Sequence, residues 1–203
     1  MAALLIRVPQ SQCLGEKPTL KLPYNAWIAG GAARRWFTGE PQESDVDVFF
    51  SDVDELDTFI ELNGLQRELA VTTDTYMMWE SPRRIQAIKH RFFGSPGEVV
   101  DSFDFCLCQF IVGSDGTLLA TLEAITSTLR RHLAVNRIDP DFALDSLRRA
   151  FKYAKAGYWP CIGTLRDLAT GIVGDGGEDR VGALMKQSEI SPGGGQRVRV
   201  HWD

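Results

Sequence analysis

The chain has 203 residues, 44% apolar and 24% charged, enough to bury a core and ordinary for a globular protein, with a formal net charge of −5. That balance argues against a protein coated for non-specific nucleic-acid binding. The start has too short an apolar run for a signal peptide and nothing later approaches a membrane span, so a cytoplasmic protein is expected.

In chain order, Ala26-Trp-Ile-Ala reads as a buried strand that stops at Gly30-Gly31, and Ala32 to Thr38 as a short helix ended by Gly39-Glu-Pro. Asp45-Val-Asp-Val-Phe-Phe alternates as a strand. Ser51-Asp-Val-Asp54 then reads as the cap of a helix carrying Leu56, Phe59 and Ile60. Thr75–Trp79 and Arg84–His90 form a strand pair joined by Glu80-Ser-Pro-Arg, and Ser95-Pro-Gly-Glu opens a short helix with proline at its first position. Phe103 to Val112 is the longest strand expected, with Cys106 and Cys108 on one face as small hydrophobes. All four cysteines, Cys13 and Cys161 included, read as free thiols, since neither metal nor disulfide spacing is present.

From Leu118 the texture turns helical. Leu122, Ile125, Leu129 and Leu133 form one helical pattern, Phe142 to Gly157 a second and Thr164 to about Ile172 a third. Between Thr126 and Thr170 eight bases face four acids, which leaves −9 for the remainder. After Gly171 a glycine-rich stretch and the β-like Arg197–Trp202 suggest a tail. The expected division is a core over 1–125, a helical region over 126–172 and the tail over 173–203, giving an α+β chain: a mixed sheet with flanking helices, then a small helical region.

The chemistry concentrates at the first two strands. Glycines at 30 and 31 let backbone N–H groups approach a phosphate, and the helix after them directs its positive end there. Alternation along the next strand points Asp45 and Asp47 the same way, two hard oxygen donors suited to Mg²⁺ or Mn²⁺. No P-loop, serine-hydrolase elbow or zinc-protease motif occurs. His90, His132 and His201 lack paired spacing.

Strand, Gly30-Gly31, helix and Asp45-Val-Asp47-Val together resemble the signature of the DNA polymerase β-like nucleotidyltransferases. More closely, Gly30-Gly-Ala-Ala-Arg34-Arg35 before Asp45-Val-Asp is similar to the catalytic head of CCA-adding enzymes and bacterial poly(A) polymerases, with Arg35 where those have an aspartate. The resemblance implies a nucleotidyltransferase fold and two-metal transfer of a nucleoside monophosphate from a nucleoside triphosphate, ATP among them, to a hydroxyl acceptor such as RNA. It implies Asp45, Asp47 and a third carboxylate as catalytic metal ligands; Asp104 in Phe103-Asp-Phe-Cys is the candidate and Asp101 the fallback. Arg149-Ala-Phe-Lys152-Tyr-Ala resembles the helix after that head, which nominates Arg148, Arg149 and Lys152, with Gly30, Gly31 and Arg34, as nucleotide contacts. On this helix Arg148 and Lys152 share a face, Arg149 stands beside them, and Leu147, Ala150, Phe151 and Ala154 are expected to face the core. The short chain suggests a free-standing, phage-like enzyme. A non-catalytic nucleotidyltransferase-fold binding or assembly protein is the alternative.

Overall fold

The computed structural model describes residues 3–41, 45–80 and 84–173; the glycine-rich tail, the β-like stretch 197–202 and the tip of the second strand pair lie outside them. Ala26–Ala29 (β2), buried at every position, pairs antiparallel with Val46–Phe50 (β3), and between them runs the helix Gly31–Thr38 (α1). The sheet grows outward on both sides of this pair. On one side β2 is flanked by Phe110–Val112 (β7), then Leu118–Ala120 (β8) and Ile6–Val8 (β1). On the other, β3 is flanked by Ile85–Ile88 (β6), Tyr76–Trp79 (β5) and Val71–Thr72 (β4). Only the β3–β6 pair is parallel, so the sheet is mixed, and helices cover both faces.

Period-two alternation divides the sheet residues between two apolar layers. Ala26, Ile28, Val46, Val48 and Phe50 pack with Ala32, Ala33 and Trp36 of α1 and with Leu56, Phe59 and Ile60 of the helix Val53–Leu62 (α2). Trp27, Ala29, Phe49 and Ile111 face the other way, against Val99 and Val100 of the helix Pro96–Asp101 (α3). The caps follow the sequence: the Asp52 carboxylate accepts from the Glu55 amide at 2.9 Å, and Ser95, followed by proline, accepts from Glu98 at 3.3 Å.

A third apolar cluster joins Phe105, Leu107 and Cys108 to Leu133, Ala150, Tyr158 and Leu168. It is built by the helices Ala143–Lys155 (α5) and Ile162–Val173 (α6) and a two-residue parallel pair, His132–Leu133 (β9) with Trp159–Pro160 (β10), while Ala124 and Ile125 of the helix Leu122–Leu129 (α4) pack in the first layer. Among the described residues no helix is long and apolar enough to cross a membrane.

Four expectations are corrected. The strand expected over Phe103–Val112 keeps only its last three residues, because the Cys106 amide donates to Ala134 O and Phe105 bridges Val135, drawing the segment off the sheet. Cys106 and Cys108 therefore sit buried in a 3-10 turn rather than on one strand face. Leu133 reaches the core from β9, not from a continued helix, because α4 ends and Arg131 takes a left-handed φ of 52°. Lastly, Phe151 is exposed; the buried side of α5 is Ala143, Ser146 and Ala150 with Leu147 beside them.

Candidate active site

The site forms where β2 ends and β3 begins. Gly30 has a φ of 75°, which side-chain-bearing residues rarely adopt, and turns the chain from β2 into α1. Its amide donates to Phe110 O at 2.9 Å. That N–H thus belongs to the sheet, and Gly30 contributes a turn rather than the phosphate contact expected of it. Gly31 opens α1 and lies under the Arg35 guanidinium: a Cβ there would come within 3.1 Å of Arg35 Nη1.

Asp47 is opposite Ala29 of β2 and opposite Gln86 of parallel β6, with Asp45 just before the strand. Burial first, then the Asp45 charge, push the Asp47 carboxyl from its ordinary 3.8 up to about 7, while Lys152 and Arg35 pull it down. This places the acid pair, Lys152 of α5 and Arg35 of α1 within one electrostatic neighbourhood. Asp45 also accepts from Arg84 at 3.4 Å, a half-exposed contact that Arg84 shares with Glu80.

The remaining candidates are distributed differently from the expectation. Asp104 leaves the sheet with its segment, is 11% exposed at the side chain, and accepts from Arg149 Nε at 2.6 Å. Arg149 also reaches Ser146 Oγ at 3.2 Å, and the Asp104 carbonyl accepts from the amides of Asn136 and Arg137. Among the described residues no three His, Cys, Asp or Glu side chains gather closely enough to hold a metal, so the expected Asp45–Asp47–Asp104 triad is not assembled. The fallback Asp101 accepts from the Ala3 amide instead. Arg148 points outward and pairs with Asp145 at 3.3 Å one turn away; Arg149 and Lys152, three residues apart, form the face that meets acids.

Arg34 is 4% exposed and turns away from the acid pair. Its Nη2 contacts Glu40 at 3.3 Å, its guanidinium carbon stands 4.9 Å from the Tyr158 ring centroid and 5.7 Å from that of Tyr153, and its Nε and Nη1 have no hydrogen-bond partner among the described residues. Glu40 also accepts from Arg131 at 2.7 Å and from the Tyr158 hydroxyl at 3.0 Å. Burial pushes the Glu40 carboxyl up, but Arg34, Tyr158 and Arg131 outweigh it and hold it below its ordinary value. Sequence reading missed Glu40, taking Gly39-Glu-Pro only as a helix stop. Its one local signal is an acid placed where α1 ends, against the preference of a helix C-terminus for cations.

The donors at 45 and 47 fit one hard divalent cation. Two carboxylates occupy alternate positions, and burial first, then the Asp45 charge, raise the Asp47 carboxyl, a cost that a bound cation would relieve. A second ion would need a third carboxylate, and the residue abreast of Asp47 on the parallel strand is the neutral amide Gln86.

The sequence profile of the Gabija anti-defense 2 family matches residues 8–131. No curated protein matches the chain. Among solved structures, a tRNA-processing enzyme in its apo form shares 16% identity at a TM-score of 0.55, with 81% of this chain and 47% of that one covered. A tRNA nucleotidyltransferase complexed with a primer tRNA and an incoming ATP analog gives 15%, 0.55, 81% and 52%. The Bacillus stearothermophilus CCA-adding enzyme in complex with CTP gives 18%, 0.50, 74% and 39%. This chain thus spans about half the length of those proteins or less, and what it shares with them is the nucleotidyltransferase fold.

Proposed function

Since this chain belongs to the Gabija anti-defense 2 family and has the nucleotidyltransferase fold, we propose that it is a metal-dependent nucleotidyltransferase acting against the Gabija defence. It would move a nucleoside monophosphate from a nucleoside triphosphate to a hydroxyl acceptor, RNA being the acceptor class the fold relatives suggest. The observation that carries this reading is the Asp45–Asp47 pair, facing Lys152 and Arg35 beside the first turn of α1, with Asp47 pushed up to about 7.

Asp45 and Asp47 would hold Mg²⁺ or Mn²⁺, which when bound supplies Lewis-acid charge at the reacting phosphate. Lys152 and Arg35 would neutralise the triphosphate oxygens, and the Gly31 end of α1 adds its dipole. Arg149 keeps α5 in place through Asp104, acting as a positioning residue. In this division residues 1–125 carry the acids together with Arg35 and Gly31, and residues 126–172 add Lys152 to the phosphate grip. The reaction belongs in the cytoplasm, where nucleoside triphosphates and Mg²⁺ are abundant.

The test is incubation of the chain with each labelled nucleoside triphosphate, Mg²⁺ or Mn²⁺, and total RNA or cell extract. Transfer of label by the wild type and not by Asp47→Asn supports the reading. The second reading, nucleotide binding without transfer, is favoured by Gln86 abreast of Asp47 and by Asp104 being held by Arg149. It predicts metal-dependent nucleotide affinity with no labelled product.

A further inference from the structure

α5 and α6 pack side by side and run in opposite directions. Near the end of α6, a Cβ on Gly171 would come 2.5 Å from Ile138 and 3.6 Å from Ala143 at the start of α5, and β10 connects the other two ends. The outer side of this pair carries exposed apolar residues, uncovered among the described residues. Ile162 is 86% exposed, Trp159 66%, Phe151 57% and Leu165 51%. Along α6 the exposed residues Ile162, Leu165, Ala169 and Val173 recur at spacings of three and four, so they share a face, while Thr164 and Leu168 turn inward. Phe151 follows Arg149 by two residues, about 200° around α5 at 3.6 residues per turn, and so points away from the side that meets Asp104.

Bases surround this apolar surface. Arg148 and Arg166 are largely exposed, each near a single acid. Lys155 and Arg130 have no carboxylate within 4 Å among the described residues, and Arg130 adjoins the residue whose carbonyl accepts from the Trp159 amide. An apolar centre with a large aromatic anchor and an Arg/Lys rim is the chemistry of a protein-binding surface. Nucleic acid fits it less well, since Ile162 and Leu165 offer bases no ring to stack on.

We propose that the outer face of α5, β10 and α6 docks a protein of the Gabija defence, on an apolar surface of that protein rimmed by carboxylates. The inference rests on the anti-defence half of the proposed function and is independent of nucleotide transfer. The apolar residues supply the anchor, and the four bases set orientation and salt dependence.

The test titrates purified Gabija proteins with the full chain by calorimetry, using wild type, Trp159→Ala/Ile162→Ser and Lys155→Glu, with circular dichroism and Mg²⁺–ATP binding as checks of intact folding. The expected result is binding by the wild type, weakening of at least tenfold in the double variant, a smaller loss in Lys155→Glu that high salt masks, and unchanged binding by Asp47→Asn. Equal affinities across the variants overturn the proposal. So does a double variant that loses affinity for a fluorescent oligouridylate in place of the Gabija proteins, or one that turns a wild-type dimer into a monomer. A chain that protects cells from Gabija yet binds none of its proteins overturns this inference alone. A chain that gives no protection overturns the anti-defence function itself.

Discussion

Asp47→Asn tests the acid pair without any knowledge of the acceptor. In the unfolded chain the carboxyl titrates near 3.8; in the folded chain burial and Asp45 move it to about 7. At pH 8 both states are ionised, so the folded state bears the whole cost of keeping that charge. At about 1.4 kcal/mol per pH unit the gap corresponds to roughly 4 kcal/mol, reduced to about 2–4 kcal/mol by the partial exposure of the side chain. As pH falls through 7 the folded state takes up its proton first. The cost therefore shrinks between pH 7 and 3.8 and vanishes below. Asparagine removes it, so Asp47→Asn should melt roughly 4–16 °C above the wild type at pH 8, given about 2–4 °C per kcal/mol for a chain of this size, and close to it near pH 4. Mg²⁺ should offset most of this difference, because binding to the folded wild type adds about 2.7 kcal/mol at a hundredfold excess over the dissociation constant. Scanning calorimetry at pH 4, 6 and 8, with and without Mg²⁺, supplies the numbers. A variant no more stable than the wild type at pH 8, or one that Mg²⁺ stabilises equally, refutes the reasoning.

Further outcomes are expected. Lys152→Ala should weaken binding of Mg²⁺–ATP by calorimetry by about 1.5–3 kcal/mol, as for a charge-assisted phosphate contact, and Lys155→Ala should not; equal affinities would remove α5 from the site. Mg²⁺ affinity measured between pH 6 and 8 should rise with pH, since the ion competes with the proton on Asp47, and a flat profile would move the metal elsewhere. Arg149→Ala leaves the Asp104 carboxylate nearly buried and unpaired, so urea unfolding should show a loss of about 3 kcal/mol. Glu40 is held below its ordinary value and so stabilises the fold above that value and ceases to as pH falls through the lowered one; Glu40→Gln should flatten the acid limb of the stability curve.

The acid pair was legible in sequence because strand alternation acts over two residues, and Gly30 because a strand-to-helix turn needs a backbone conformation that glycine adopts freely. The placement of Asp104 was not. Residues 105–112 are apolar but for Gln109, and such a run does not reveal that Phe105 and Cys106 pair with 134–135 instead of the sheet. The bases of α5 show the same limit. Arg148, Arg149 and Lys152 are equivalent as a pattern, and only the packing of Ser146 and Ala150 decides that Arg148 points to solvent. Arg34 and Arg35 sit on one helix and both feel Glu40 and Tyr153, but Arg34 stacks on Tyr153 and Tyr158 while Arg35 also feels Asp47, and the two tyrosines come from a part of the sequence that no local motif at α1 reaches.

The Glu40 carboxylate fastens three distant parts of the chain: Arg34 from α1, Arg131 after α4, and Tyr158 before β10. α1 begins at the acid pair and ends at this fastening, so it acts as a strut whose two ends belong to different halves of the protein. A cut near residue 125 would leave Arg34 without two of its aromatic neighbours and Phe105 and Leu107 without the helices that cover them. The helical region is therefore not an attachment that evolution or an experimenter can exchange freely. Any change in its tilt would be carried along α1 to Gly31, and the reach between Lys152 and Asp47 would be reset at the same moment.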